Sequence, residues 1–123
     1  MANRAFNRYQ ALEKEVKSLF LDVAIGASGA PTLSRGLGVA SITRSSTGLY
    51  VITLQDLYSR LLSCRVTILN ASAQDAHSQL VSESVASAKT ISFRTITGST
   101  GAVVDPANGA RLLISIELKN SSI

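Results

Sequence analysis

The sequence has no tryptophan, one cysteine, one histidine and two prolines. Each scarcity closes off a class of function. A lone Cys64 excludes a disulfide framework within the chain. Between Leu62 and Val66 it is most simply a small buried apolar residue. One histidine and eight scattered carboxylates show none of the spacings that hold zinc or calcium, so no metal site is expected. A hydrolytic triad needs a histidine as base. His77 has Asp75 two residues away, but it stands in a polar stretch and no Gly-x-Ser-x-Gly elbow is present. Without tryptophan, and with Tyr50 expected inside, Tyr9 and Tyr58 make a poor platform for stacking sugars. No run of about twenty apolar residues exists, so no membrane-spanning helix is expected. Met1 to Gln10 is polar and basic with no apolar stretch after it, so no signal peptide is expected.

Charge is scarce too. Charged residues are 16% of the chain, against about a quarter in an average protein. The balance is 12 basic to 8 acidic, a formal +4. The basic residues are spread from Arg4 to Lys119. Their densest group, Arg4, Arg8, Lys14 and Lys17, is diluted by Glu13 and Glu15. A nucleic-acid binder gathers its cations into a patch with aromatic stackers, so no nucleic-acid partner is expected. Other chemical motifs fail on inspection. Gly36-Leu37-Gly38-Val39-Ala40-Ser41 has Ser41 where a dinucleotide fingerprint needs its third glycine, and it leads into a strand, not a helix. Gly26-Ala27-Ser28-Gly29 lacks the Lys-Ser/Thr ending of a phosphate loop. Glu13, Glu15, Glu83 and Glu117 form no catalytic carboxylate pair. The residues thus predict no enzyme, no cofactor and no small-molecule substrate.

What the chain does have is alternation. At 123 residues it fits one domain, able to bury roughly two thirds of its unfolded surface without disulfides. Apolar residues make up 46%, and Ser, Thr, Ala and Gly fill the place of charge. Leu19, Leu21, Val23 and Ile25 alternate with Ser18, Phe20, Asp22 and Ala24, a strand with one apolar face. Gly38 to Thr43 and Leu49 to Leu54 form a hairpin around Ser45, Ser46 and Gly48, with a three- to five-residue loop expected. Both faces of its second strand are apolar, so cover on both sides is expected. Arg65 to Asn70, Leu80 to Ser87, Lys89 to Thr97 and Arg111 to Asn120 are further strands. In the last, Leu112, Ile114, Ile116 and Leu118 alternate with Leu113, Ser115, Glu117 and Lys119. Leu57, Tyr58, Leu61 and Leu62 have helical spacing after Asp56, a suitable N-cap, which predicts a short helix over 55–62. Thr32 to Leu37, residues 71–79 and residues 98–109 read as loops. The fold expected is a single antiparallel β-sandwich or small barrel of about seven strands with one short helix. The β-domain covers 18–123, and an extended N-terminal arm with its lead-in covers 1–17. In the arm, Arg4, Phe6, Arg8 and Tyr9 are the expected partner contacts, made by adding a strand to a neighbour.

Several stretches together resemble small virion proteins of tailed bacteriophages. They are Leu12-Glu13-Lys14-Glu15-Val16, Ile25-Gly26-Ala27-Ser28-Gly29-Ala30-Pro31-Thr32-Leu33, Gly38 to Arg44 with Thr47 to Asp56, and Asp105-Pro106-Ala107-Asn108-Gly109. The resemblance implies a non-enzymatic capsid decoration, or cement, protein on the outer face of the head. Its partners would be the major capsid protein and copies of itself, a trimer being the oligomer that fits local three-fold positions. A tail or neck protein and a host-surface saccharide-binding module are the alternatives.

Overall fold

The computed structural model describes residues 15–120, and they form two four-stranded antiparallel sheets. The strands are β1 (Val16–Ile25), β2 (Pro31–Gly36), β3 (Val39–Ser46), β4 (Leu49–Leu54), β5 (Arg60–Leu69), β6 (His77–Ser84), β7 (Thr90–Ile96) and β8 (Arg111–Lys119). The first sheet has the order β2-β1-β8-β5 and the second β3-β4-β7-β6. The expected β-sandwich is what forms, with eight strands.

Alternation decides which side chains meet between the sheets, because a strand turns successive side chains to opposite faces. Leu21, Val23 and Ile25 of β1 and Leu112, Ile114, Ile116 and Leu118 of β8 are buried from one side. Tyr50, Ile52 and Leu54 of β4 and Ile91 and Phe93 of β7 are buried from the other. The Tyr50 and Phe93 rings stack at 5.4 Å between centroids. Each of these large side chains contributes about 2 kcal/mol by leaving water, so the four central strands hold the domain together.

Four expectations are corrected. Residues 55–62 form no helix: Arg60, Leu61 and Leu62 open β5, which pairs with β8 through Arg60↔Lys119 and Leu61↔Leu118. Among the described residues the one helical piece is the 3-10 turn Ala27–Gly29. Thr32 to Leu37 is mostly strand, since β2 pairs with β1 through Val23↔Leu33 and Asp22↔Arg35. The β3–β4 hairpin is tighter than expected: Ser46 pairs directly with Leu49, leaving Thr47 and Gly48 as the turn. β4 does lie between two strands, but only its Tyr50, Ile52 and Leu54 face enters the core. Leu49, Val51 and Thr53 stand half-buried on the outer face.

Candidate interaction surfaces

One end of the sandwich is tied together by a polar hub. Asp105, in the loop before β8, accepts hydrogen bonds from Arg44 Nε at 3.0 Å, Arg44 Nη2 at 2.8 Å and the Gly48 amide at 2.7 Å. Gln74, in the loop before β6, donates to the Asp105 carbonyl and accepts from the Ala107 amide. Tyr50 carries its hydroxyl through the core to donate to the Gly29 carbonyl at 2.7 Å. Two glycines permit this crowding. At Gly29, with φ of 75°, a Cβ would stand 2.5 Å from Asp105 Cγ, and at Gly48, with φ of 69°, one would stand 2.8 Å from the Thr95 carbonyl oxygen. The Arg44 hydrogen bond, followed by the Gly48 amide and the nearby positive charge, outweighs partial burial and holds the Asp105 carboxyl below its ordinary range. Burial pushes the Tyr50 hydroxyl up to about 12. The loops around Gly29, Gly48 and Asp105, far apart in sequence, therefore meet in one structural clamp.

A second polar cluster centres on Asp75. Asp75 accepts from the Gly98 amide at 2.9 Å and from Ser99 Oγ at 3.1 Å, and His77 Nε2 lies 3.3 Å from the same carboxylate. Ser99 thus bonds to the acid and not to the imidazole, whereas a nucleophile must bond to its base. All of these groups are exposed. Their effect is to pin the 71–76 and 98–101 loops to each other. The Gly98 amide is the main reason the Asp75 carboxyl is held low. Among the described residues no three His, Cys, Asp or Glu side chains gather as a metal site. Cys64 is half-buried beside the core, and burial pushes its thiol up to about 11, which leaves it a poor nucleophile.

The two outer faces differ in character. On the β2-β1-β8-β5 sheet the cross-strand register turns Arg35, Arg60, Arg65, Arg111 and Lys119 outward, with Asp22 and Glu117 as the acids. Arg111 pairs with Asp22, its Nη2 at 2.5 Å from the carboxylate. Ser18 donates to Glu117 at 2.7 Å. In the middle Phe20 is 64% exposed and Leu113 38%. They floor an open groove of about 360 Å³ that Asp22, Arg35, Thr67 and Ser115 border. This face is cationic with an apolar centre.

The β3-β4-β7-β6 sheet shows hydroxyls instead. Ser41, Thr53, Thr90 and Ser84 stand in one row across all four strands, each paired with the next. Thr43, Val51, Ser92 and Ser82 make the next row. Arg94, beside Leu49 and Gln79, brings the charge to this face.

The predicted contact residues Arg4, Phe6, Arg8 and Tyr9 lie outside the described residues. Arg35, expected in a loop, is placed on β2 beside the Phe20 groove. Asp105 and Arg44 are 61 positions apart, so no local signal joined them. Phe20 was legible in part: an aromatic at the polar positions of an alternating strand must point away from the core. No family model, curated protein or solved structure matches this chain.

Proposed function

We propose that this protein is a structural component of a bacteriophage virion, a decoration protein that binds the outer head surface and reinforces it through contacts with the major capsid protein and with its own copies. The observation that carries the reading is the division between the two outer faces. A cationic face with exposed Phe20 and Leu113 suits an acidic protein surface that offers an apolar side chain. Opposite charges steer and orient such a contact, and the apolar centre supplies affinity. The same face would repel its own copy. The nearly uncharged hydroxyl face has no such conflict and suits packing against neighbouring subunits. The loop clamp and the Asp75 cluster leave no nucleophile joined to a base, which supports a binding role over a catalytic one. The segment ahead of β1 serves as the reaching arm in this reading, through Arg4, Phe6, Arg8 and Tyr9; Val16 and Lys17, expected in the arm, belong to β1 instead. The resemblance, resting on turns and strands across nearly the whole chain, supplies the phage context.

The test is the composition of purified virions, followed by imaging of the particle at subunit resolution. Density for this sandwich on the outer shell is the expected result. Its absence from virions refutes the proposal, and its presence only on tail or neck refutes the head assignment. A double variant, Phe20→Asp with Arg35→Glu, should fold normally and lose binding to heads that lack the protein.

A further inference from the structure

We infer that the free edge of β6 is the acceptor strand for the N-terminal segment around Phe6 of a neighbouring copy. That the donor is a neighbour rests on the proposed role as a repeating surface subunit; the choice of edge rests on β6 itself.

A sheet edge offers unpaired amides and carbonyls to any passing strand, and soluble proteins guard theirs with charge, proline or bulges. The sandwich has four edges. β2 carries Pro31 and Arg35. β3 carries Arg44 and two register shifts. β5 carries Arg60, Arg65 and a register shift. β6, His77-Ser-Gln-Leu-Val-Ser-Glu-Ser84, has a single shift between Leu80 and Ser82 and neither Lys, Arg nor Pro. It also leaves two large apolar side chains, Leu80 and Val81, each 41% exposed. Among the described residues no strand pairs with this edge.

Beside the edge runs a groove of about 290 Å³ between β5 and β6, with Cys64, Val66, Leu80 and Phe93 among its walls and Arg65 lining it too. An aromatic side chain on an added strand would enter it. The register of β6 says what should flank that aromatic. Leu80 pairs with Phe93 and, across the bulge, Glu83 pairs with Ile91, so Leu80 and Glu83 are successive inward positions. A strand that sets an aromatic against Leu80 therefore sets its next same-face residue against Glu83. Arg4, Phe6 and Arg8 are spaced by two, so an extended segment presents all three on one face. The cations stand symmetrically about Phe6. One of them reaches Glu83 whichever way the added strand runs. The fourteen residues before Glu15 span up to about 46 Å when extended, enough to cross to an adjacent subunit.

The experiment uses full-length chains in a Cys64→Ser background, each with one new cysteine, mixed in pairs and oxidised. Acceptors carry Gln79→Cys; donors carry Ala5→Cys or Asn7→Cys. Every disulfide is then between chains. An antiparallel added strand places Asn7 against Gln79, and a parallel one places Ala5 there, so the donor that reacts reports the polarity. The expected result is a mixed dimer at least about tenfold above that of a Ser41→Cys acceptor, whose cysteine sits on β3. Adding Glu83→Lys or Leu80→Lys to the acceptor should reduce that yield about tenfold. A mixed dimer no stronger than the Ser41→Cys control overturns the inference. So does a Gln79→Cys homodimer that outcompetes it, which would assign the edge to a second β6. Virion composition reads the other proposal separately: cross-linking by a protein absent from virions keeps the strand exchange and removes the head assignment, whereas a virion protein without the cross-link does the reverse.

Discussion

Asp105→Ala is the substitution that asks most of the loop clamp. It removes one acceptor from three donors: Arg44 Nε, Arg44 Nη2 and the Gly48 amide. Gly48 is buried, and its amide donates to the Asp105 carboxylate. A buried amide left without a partner costs about 1–3 kcal/mol. The ion pair counts for less, because Arg44 keeps 28% of its side chain in water and the Asp105 side chain 21%. Solvent screens it, so the expected cost is that of the amide, about 1–3 kcal/mol. For a domain of this size each kcal/mol moves the melting point by about 3–5 °C, so Tm should fall by about 10 °C at neutral pH. Differential scanning calorimetry or thermal circular dichroism would measure it. A fall of under about 3 °C would refute the view that Asp105 ties the loops together.

The pH dependence gives a second arm to that test. Arg44 first, then the Gly48 amide, lowers the carboxyl pKa in the folded state. A depressed folded pKa contributes stability that is complete above the unfolded value, near 4, and is lost as pH falls through the folded value. Wild type should therefore lose Tm on acidification below about pH 5, and Asp105→Asn should lose less over the same range. Asp22 and Asp75, also held low, contribute to the fall in both proteins alike.

Other outcomes follow from burial. Ile52 is fully buried in the central strand pair, and Ile52→Asp would leave an unpaired carboxylate there, a cost comparable with the whole stability of a small domain. Circular dichroism should show no cooperative melting, and a soluble protein with unchanged Tm would contradict the placement of β4. Arg8→Ala should leave the melting point unchanged and weaken assembly, as read by light scattering; a lower Tm would instead make Arg8 part of the fold. Cys64, its thiol pushed up to about 11, should react with a disulfide reagent at pH 8 more than about tenfold more slowly than a free cysteine, and should speed up on unfolding.

The parts of this fold that could be read from sequence are those where one face is buried for the length of a strand. β8 shows this best: Leu112, Ile114, Ile116 and Leu118 all enter the core, and their alternation with Leu113, Ser115, Glu117 and Lys119 is unbroken. Edges are harder. β2 buries little, so Pro31 to Gly36 carries no apolar period, and a proline at its first residue suits an edge strand as well as a loop. In β5 the register shift between Leu61 and Ser63 breaks the two-residue period. That slip gave Leu57, Leu61 and Leu62 their helical spacing, and pairing with β8 overrode it. The surfaces were less legible than the core. The cationic face joins Arg35, Arg65 and Arg111 from three different strands, and only the register brings them together.

The order of strands has a consequence for biosynthesis. β1 pairs with β8 along nine consecutive positions, from Val16↔Lys119 to Ala24↔Arg111. Hence the first sheet cannot close until the ribosome has passed Lys119. The second sheet is built from β3, β4, β6 and β7 and can form earlier. Such long-range closure is slow compared with local hairpins. It also means that the Phe20–Leu113 groove does not exist on a nascent or truncated chain, because its two floor residues come from opposite ends of the sequence. A subunit presents that face only after translation has carried it through β8, so a surface built this way tells a closed sandwich from a chain cut before Arg111.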